Sequence, residues 1–220
     1  MKKIEGVIFD LDGVITDTAE YHYRAWKELA KRIGITINRE FNEQLKGVSR
    51  MESLERILTH GGRAEEFNDT KKSEMADWKN ELYKEMITDI KPTDILPGVV
   101  AFLDELKKAN IRTAVASASK NAETILEALK IRKRFDYVVD AAEIKNSKPD
   151  PEIFLKALEL LDLKADVCVG IEDAAAGVES IKGAGIRAIG IGDLKTLAQA
   201  DIVFEGTSQL RLETLITLLI

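Results

Sequence analysis

An apolar strand that stops on two carboxylates constrains a fold more tightly than any other feature of this chain. Val7, Ile8 and Phe9, with Ile4 ahead of them, have the β-branched and aromatic character of a buried strand, and they run directly into Asp10-Leu11-Asp12-Gly13. A strand that served only the core would have no use for acids at its end. Gly13 supplies the sharp turn by which the chain leaves the sheet. Asp10 and Asp12 are therefore expected at the carboxyl end of the strand, where open α/β sheets bind their ligands.

Beyond Thr18 the apolar period changes from that of a strand to that of a helix. Trp26, Leu29, Ala30 and Ile33 share one face, Gly34 closes the helix, and Asp17 with Glu20 is the expected capping pair. Helical patterning continues over 40–45, 51–58 and, after Gly61-Gly62, 64–87, with no strand candidate between them. An all-helical block inserted after the first strand is expected to sit as a cap over the carboxylates. From Pro97-Gly98 onward, helices (99–108, 122–129, 151–161, 174–182) alternate with strands (112–116, 137–139, 167–171, 186–191). A last strand at 202–204 and a closing helix at 208–220 complete the pattern. Strands separated by helices of this length need right-handed crossovers, so the fold class is α/β: a Rossmann-like parallel sheet with helices on both faces and an inserted all-α cap domain. The expected division is 1–15 and 92–220 for the core and 16–91 for the cap.

A formal net charge of −6 over 220 residues argues against nucleic acid or an anionic membrane as the main partner, so an anionic substrate must be attracted locally. The single cysteine, Cys168, precludes an intramolecular disulfide and reads as a small buried hydrophobe in mid-strand. The acids at 10 and 12 interrupt the only apolar run near Met1-Lys2-Lys3, which does not suit a signal peptide, and no stretch is long enough to span a bilayer. The expectation is a cytoplasmic monomer acting on a small molecule. Gly190-Ile191-Gly192 hints at a dinucleotide site, but Lys195 stands where the third glycine belongs.

Three further strand ends carry chemistry. Ser117-Ala118-Ser119-Lys120-Asn121 follows the second strand and opens a helix, offering hydroxyls and free N–H groups as a phosphate seat. In Lys148-Pro149-Asp150-Pro151, Pro149 forces Lys148 into an extended conformation, while Asp150 and Pro151 start a helix. Glu172-Asp173 follows the fourth strand. Together with Asp10 and Asp12 these acids place four carboxylates at one sheet edge, whose mutual repulsion calls for a cation. Oxygen ligands without His or Cys point to Mg²⁺.

In order and placement, these four motifs resemble those of the haloacid dehalogenase-like phosphotransferases, which form an aspartyl-phosphate. The likeness is closest to the sugar-phosphomutase branch, over Asp10 to Trp26, Asn42 to Arg50, Ala116 to Asn121 and Ser147-Lys148-Pro149. Ala174 stands where relatives commonly have serine. The resemblance implies that Asp10 is the nucleophile and Asp12 the general acid/base. It implies Mg²⁺ on the Asp10 carboxylate, the Asp12 backbone carbonyl and Asp173, with Glu172 close by. Ser117 and Lys148 would hold the transferring phosphoryl group, and Ala118, Ser119, Lys120, Asn121 and Trp26 would contact substrate. From the cap, Leu45, Gly47, Val48, Ser49 and Arg50 would close on the substrate. Gly47 permits close approach there, and the Arg50 guanidinium suits a second, non-reacting phosphate. Thr18 and His22 would couple cap closure to the placing of Asp12, and Lys79 would give a second phosphate contact. The implied reaction is Mg²⁺-dependent interconversion of β-glucose 1-phosphate and glucose 6-phosphate through a bisphosphate, with sugar-phosphate hydrolysis as the alternative.

Overall fold

A computed structural model describes residues 3–217. Six strands, β1 (Gly6–Phe9), β2 (Arg112–Val115), β3 (Tyr137–Val138), β4 (Cys168–Glu172), β5 (Arg187–Ile191) and β6 (Ile202–Phe204), form one parallel sheet in the order β3-β2-β1-β4-β5-β6. The earliest strand thus lies in the middle of the sheet. The β1 register, Phe9 opposite Val115 on one side and Ile171 on the other, brings three strand ends level. The chain winds outward in opposite directions from β1 and β4, and the crevice at such a reversal is where ligands bind.

Alternation along the strands sends side chains to two cores. Val7, Phe9, Val115, Val169 and Ile171 pack beneath α5 (Val99–Lys108), α6 (Ala122–Ala128) and α9 (Leu212–Thr217). Ile8, Ala114 and Cys168 pack beneath α7 (Glu152–Leu161) and α8 (Ala175–Gly183). Phe9 makes edge contacts with the rings of Phe102 at 6.0 Å and Phe135 at 5.6 Å, which fixes the end of β1 from below.

Between β1 and β2 lie α1 (Ala19–Arg32), α2 (Arg39–Glu43), α3 (Arg50–His60) and α4 (Asp69–Met86). They bury a core of their own, including Trp26, Leu29, Phe41, Leu54, Ile57 and Ala76, and so form the all-α cap. Ala25 and Tyr83 pack instead with the sheet's core. The two connecting segments lie side by side: Leu96 N donates to Ile15 O at 2.9 Å, and the Thr16 hydroxyl donates to Asp94 O at 2.8 Å.

Some local expectations are corrected. Asp17 and Glu20 do not cap α1. Thr18 is the flanking residue, without a side-chain cap, and Glu20 instead accepts from Arg24 and Arg39, because two guanidiniums outcompete one backbone N–H. The helix expected over 64–87 begins only at Asp69, where the Asn68 side chain caps it by accepting from Lys71 N at 2.9 Å. The closing helix starts at Leu212, not at 208, since Thr207–Gln209 forms a separate 3-10 turn; its expected end at 218–220 lies outside the described residues.

Candidate active site

The site's floor is made where β1, β2 and β4 end. Asp10 is buried, and its N–H continues the ladder to Ile171 O at 2.9 Å, so the carboxylate is aimed by the sheet itself. Lys148, on the loop that follows β3 and joined to Pro149 by a cis peptide, is 1% exposed. Its ammonium donates to Asp10 Oδ1 at 2.6 Å, Glu172 Oε2 at 2.8 Å and Ala116 O at 3.1 Å. Burial works against its charge, but Asp10 and Glu172 raise the lysine's pKa above the ordinary value.

Carboxylate oxygens of Asp10, Glu172 and Asp173 lie within 4.8 Å of one another. Burial, then the neighbouring acids, push Glu172 and Asp173 upward, and one lysine does not neutralise three carboxylates. An oxygen-only donor set under this repulsion fits a hard divalent cation. The cradle is tight. Gly13 has φ +74, and a Cβ there would overlap the Asp173 carboxylate; a Cβ at Gly177 would overlap that of Glu172. Asp173 is not spent on capping α8, whose flanking residue is Ala174. Asp12 stands outside the cluster. Burial, then the charge of Asp10, push its carboxyl up to about 8, close enough to neutrality for the group to take a proton or give one. Its Oδ1 has no hydrogen-bond partner among the described residues.

Above Asp10, Ser117 Oγ accepts from Ser119 N at 3.1 Å and Ser119 Oγ accepts from Asn121 N at 3.3 Å, which tightens the turn into α6. The cap supplies the opposite wall. Lys79 is 2% exposed, contacts His22 Nδ1 at 2.8 Å, and lies over the rings of Trp26 and Tyr83 at 4.6 and 4.8 Å. Burial, then the positive charge of Arg50, bring the Lys79 pKa down to about 7. Burial, then Lys79, hold His22 well below its usual value. It is therefore neutral, stacked on Tyr83 at 4.0 Å, with Nε2 3.9 Å from Asp12 Oδ2.

Floor and cap enclose one cavity of about 410 Å³. It brings together Asp10, Asp12, Asp173, Ser117 to Asn121 and Lys148 from the core with His22, Trp26, Leu45 to Arg50 and Lys79 from the cap. Two of the expected site residues are not on its wall. Thr18 is buried beside the hinge, and Glu172 is fully buried behind Asp10, held by Lys148 and the N–H groups of Asp173 and Ala174. The sequence reading missed Asn80, whose Oδ1 accepts from Asn121 Nδ2 at 3.0 Å and so ties cap to core, and Asp77, also on the wall. Asn80 was discoverable, since it lies with Lys79 on the apolar stripe between Ala76 and Tyr83, where a polar residue must have a partner. Asp77 gave no such signal.

A haloacid dehalogenase-like hydrolase family model matches residues 4–185. The chain belongs to that family. Within it, the chain is 47% identical over 212 residues to the β-phosphoglucomutase of Bacillus subtilis (strain 168), covering 96% of this chain and 94% of the relative. A crystal structure of β-phosphoglucomutase from Clostridium difficile superposes with a TM-score of 0.96 at 47% identity, over 97% of this chain and 96% of that one. A phosphorylated carbohydrates phosphatase of Thermotoga maritima is 31% identical, over 91% of this chain and 93% of the relative. Family membership by itself does not separate mutase from phosphatase, since relatives of both names match nearly the whole chain.

Proposed function

We propose that the protein is a Mg²⁺-dependent phosphomutase that interconverts β-glucose 1-phosphate and glucose 6-phosphate through a β-glucose 1,6-bisphosphate. The observation that carries this reading is the single cavity with phosphate-binding chemistry at both ends: Ser117 and Lys148 beside Asp10, and Arg50 with Lys79 on the facing cap. The 47% identity to a β-phosphoglucomutase supports it.

Asp10, carrying the phosphoryl group, offers it to a hydroxyl of the bound sugar monophosphate. Asp12 takes the hydroxyl proton as the new phosphorus–oxygen bond forms and the aspartyl bond breaks. The bisphosphate then turns end for end. Asp10 attacks the other phosphorus, and Asp12 returns its proton to the leaving sugar oxygen, so the enzyme ends phosphorylated as it began. The raised pKa of Asp12 suits that exchange. Lys148 and Ser117 position the moving phosphoryl group, and Lys148 offsets its charge. The Asp10 and Asp173 carboxylates and the Asp12 carbonyl, with Glu172 close by, would hold Mg²⁺, which when bound would supply further positive charge for that group. Thr18 and His22 keep Asp12 placed as the cap closes. Residues 16–91 act as the cap over a core of 1–15 and 92–220. Leu45, Gly47, Val48 and Ser49 close it against water, which would otherwise hydrolyse the aspartyl-phosphate. The same reading makes the protein a cytoplasmic monomer with a small sugar phosphate as its partner. Among the described residues no helix is long and apolar enough to cross a membrane.

The test is to incubate protein, Mg²⁺, β-glucose 1-phosphate and a trace of glucose 1,6-bisphosphate while following glucose 6-phosphate and inorganic phosphate together. Glucose 6-phosphate without matching phosphate release is the expected result. Phosphate release without isomerised sugar would replace the mutase by the phosphatase that the Thermotoga maritima relative's name describes.

A further inference from the structure

The guanidinium on the cap wall already has an anion beside it. Arg50 Nη1 lies 3.6 Å from Asp77 Oδ1, one on α3 and the other on α4, and both side chains line the cavity. At that distance the contact is an ion pair without a hydrogen bond, so the Arg50 donors remain available. The Arg50 side chain is 20% exposed and that of Asp77 73%. Asp10, Asp12 and Asp173 are floor acids; Asp77 is the carboxylate that the cap contributes to the lining.

A half-buried, uncompensated guanidinium would take a phosphate dianion in paired, charge-assisted hydrogen bonds and release it slowly. That suits a binding protein better than a mutase, whose bisphosphate must let go at one end in order to turn. A carboxylate at ion-pair distance lowers the net charge that a phosphate meets, and it gives the guanidinium somewhere to return. We propose that Asp77 is a specificity-determining residue that competes with the substrate's non-reacting phosphate for Arg50, holding the bisphosphate loosely enough to turn within the site. This deepens the mutase reading and rests on it.

The test is an equilibrium titration with glucose 1,6-bisphosphate in the Asp10→Asn background, where the ligand is not consumed. Adding Asp77→Asn, which keeps the shape and removes the charge of an exposed residue, is expected to tighten binding roughly three- to fivefold, the scale of a partly exposed ion pair. In the otherwise wild-type enzyme the same change is expected to lower KM and kcat together, which a merely structural role would not do. In an Arg50→Ala background the tightening should vanish. Unchanged or weaker binding in Asp77→Asn overturns the proposal, the weaker case making Asp77 a contact for a sugar hydroxyl. Tightening that persists without Arg50 also overturns it, because the charge would then act on the cavity at large. Since the titration reads affinity and not turnover, a wild-type protein that fails to isomerise β-glucose 1-phosphate would remove the mutase reading separately.

Discussion

The Lys148 ammonium lies 2.6 Å from Asp10 Oδ1 and is the only buried cation in contact with that carboxylate among the described residues. It also holds Glu172 at 2.8 Å, so one lysine stands between two buried acids. Replacing it by methionine keeps much of the volume and leaves both acids unpaired. Lys148→Met is expected to destabilise the metal-free protein by about 3–5 kcal/mol. Because the lysine's pKa is raised above 10.5, its contribution is fully present below that pH and is lost only as pH climbs past the raised value. Urea denaturation should therefore show the loss at pH 7 and a larger one at pH 9, where Glu172, pushed up by burial and Asp10, must ionise without its partner. A loss under about 1 kcal/mol would mean that the acids take up protons in its place.

The Gly13 backbone makes room for Asp173. Gly13→Ala would put a side chain at φ +74 and press its Cβ into the Asp173 carboxylate, displacing one acid of the cluster. We expect the fold to survive and the affinity for Mg²⁺ to fall roughly tenfold or more, as when a supporting contact of a metal ligand is lost. The Mg²⁺ concentration giving half-maximal activity, together with the Mg²⁺-dependent rise in melting temperature, measures this. Both unchanged would place the cation elsewhere.

The floor was legible because each of its residues follows an apolar strand, and parallel pairing brings strand ends together whatever lies between them in sequence. Asp10, Ser117 and Glu172-Asp173 are scattered over more than half the chain, yet the order β2-β1-β4 makes them neighbours, and Lys148 reaches them from the loop after the edge strand β3. The cap was legible as helices but not as a wall. Which face of α4 looks down depends on how α1 and α3 pack on it, so Lys79 was found by resemblance, and Asn80, although it interrupts the apolar stripe, was overlooked. Side-chain pairings such as Glu20 with Arg39 join separate helices and leave no local trace.

On the proposed function, losing Arg50 should separate mutase from phosphatase activity. Arg50→Ala removes a grip on the far phosphate without touching the floor, so KM for β-glucose 1-phosphate should rise more than tenfold, the usual scale for losing a charged hydrogen-bonding partner. Hydrolysis of p-nitrophenyl phosphate, which has no second phosphate, should be nearly unaffected. Equal losses in both assays would show that Arg50 serves the floor or the fold.

Lys79 gives the site a pH dependence whose sign can be stated. With its pKa at about 7, against 10.5 for an ordinary lysine, it is charged below neutrality and neutral above. A phosphate on the cap wall favours the charged form, so binding draws a proton onto Lys79, and KM should rise with pH above 7. Lys79→Met should bind more weakly at pH 6 and show little of that rise. Stability behaves in the opposite sense. Between pH 7 and 10.5 the unfolded chain holds a proton that the folded protein lacks, so this residue's contribution grows more favourable by up to ~1.4 kcal/mol per pH unit. The cost of burying the charge is complete below pH 7. Lys79→Met should therefore gain stability relative to wild type at pH 6 and keep less than half of that advantage at pH 9, as read from melting temperatures at the two values. A constant difference would mean that Lys79 keeps its proton throughout, and that the contact with His22 Nδ1 at 2.8 Å is charged across the whole range.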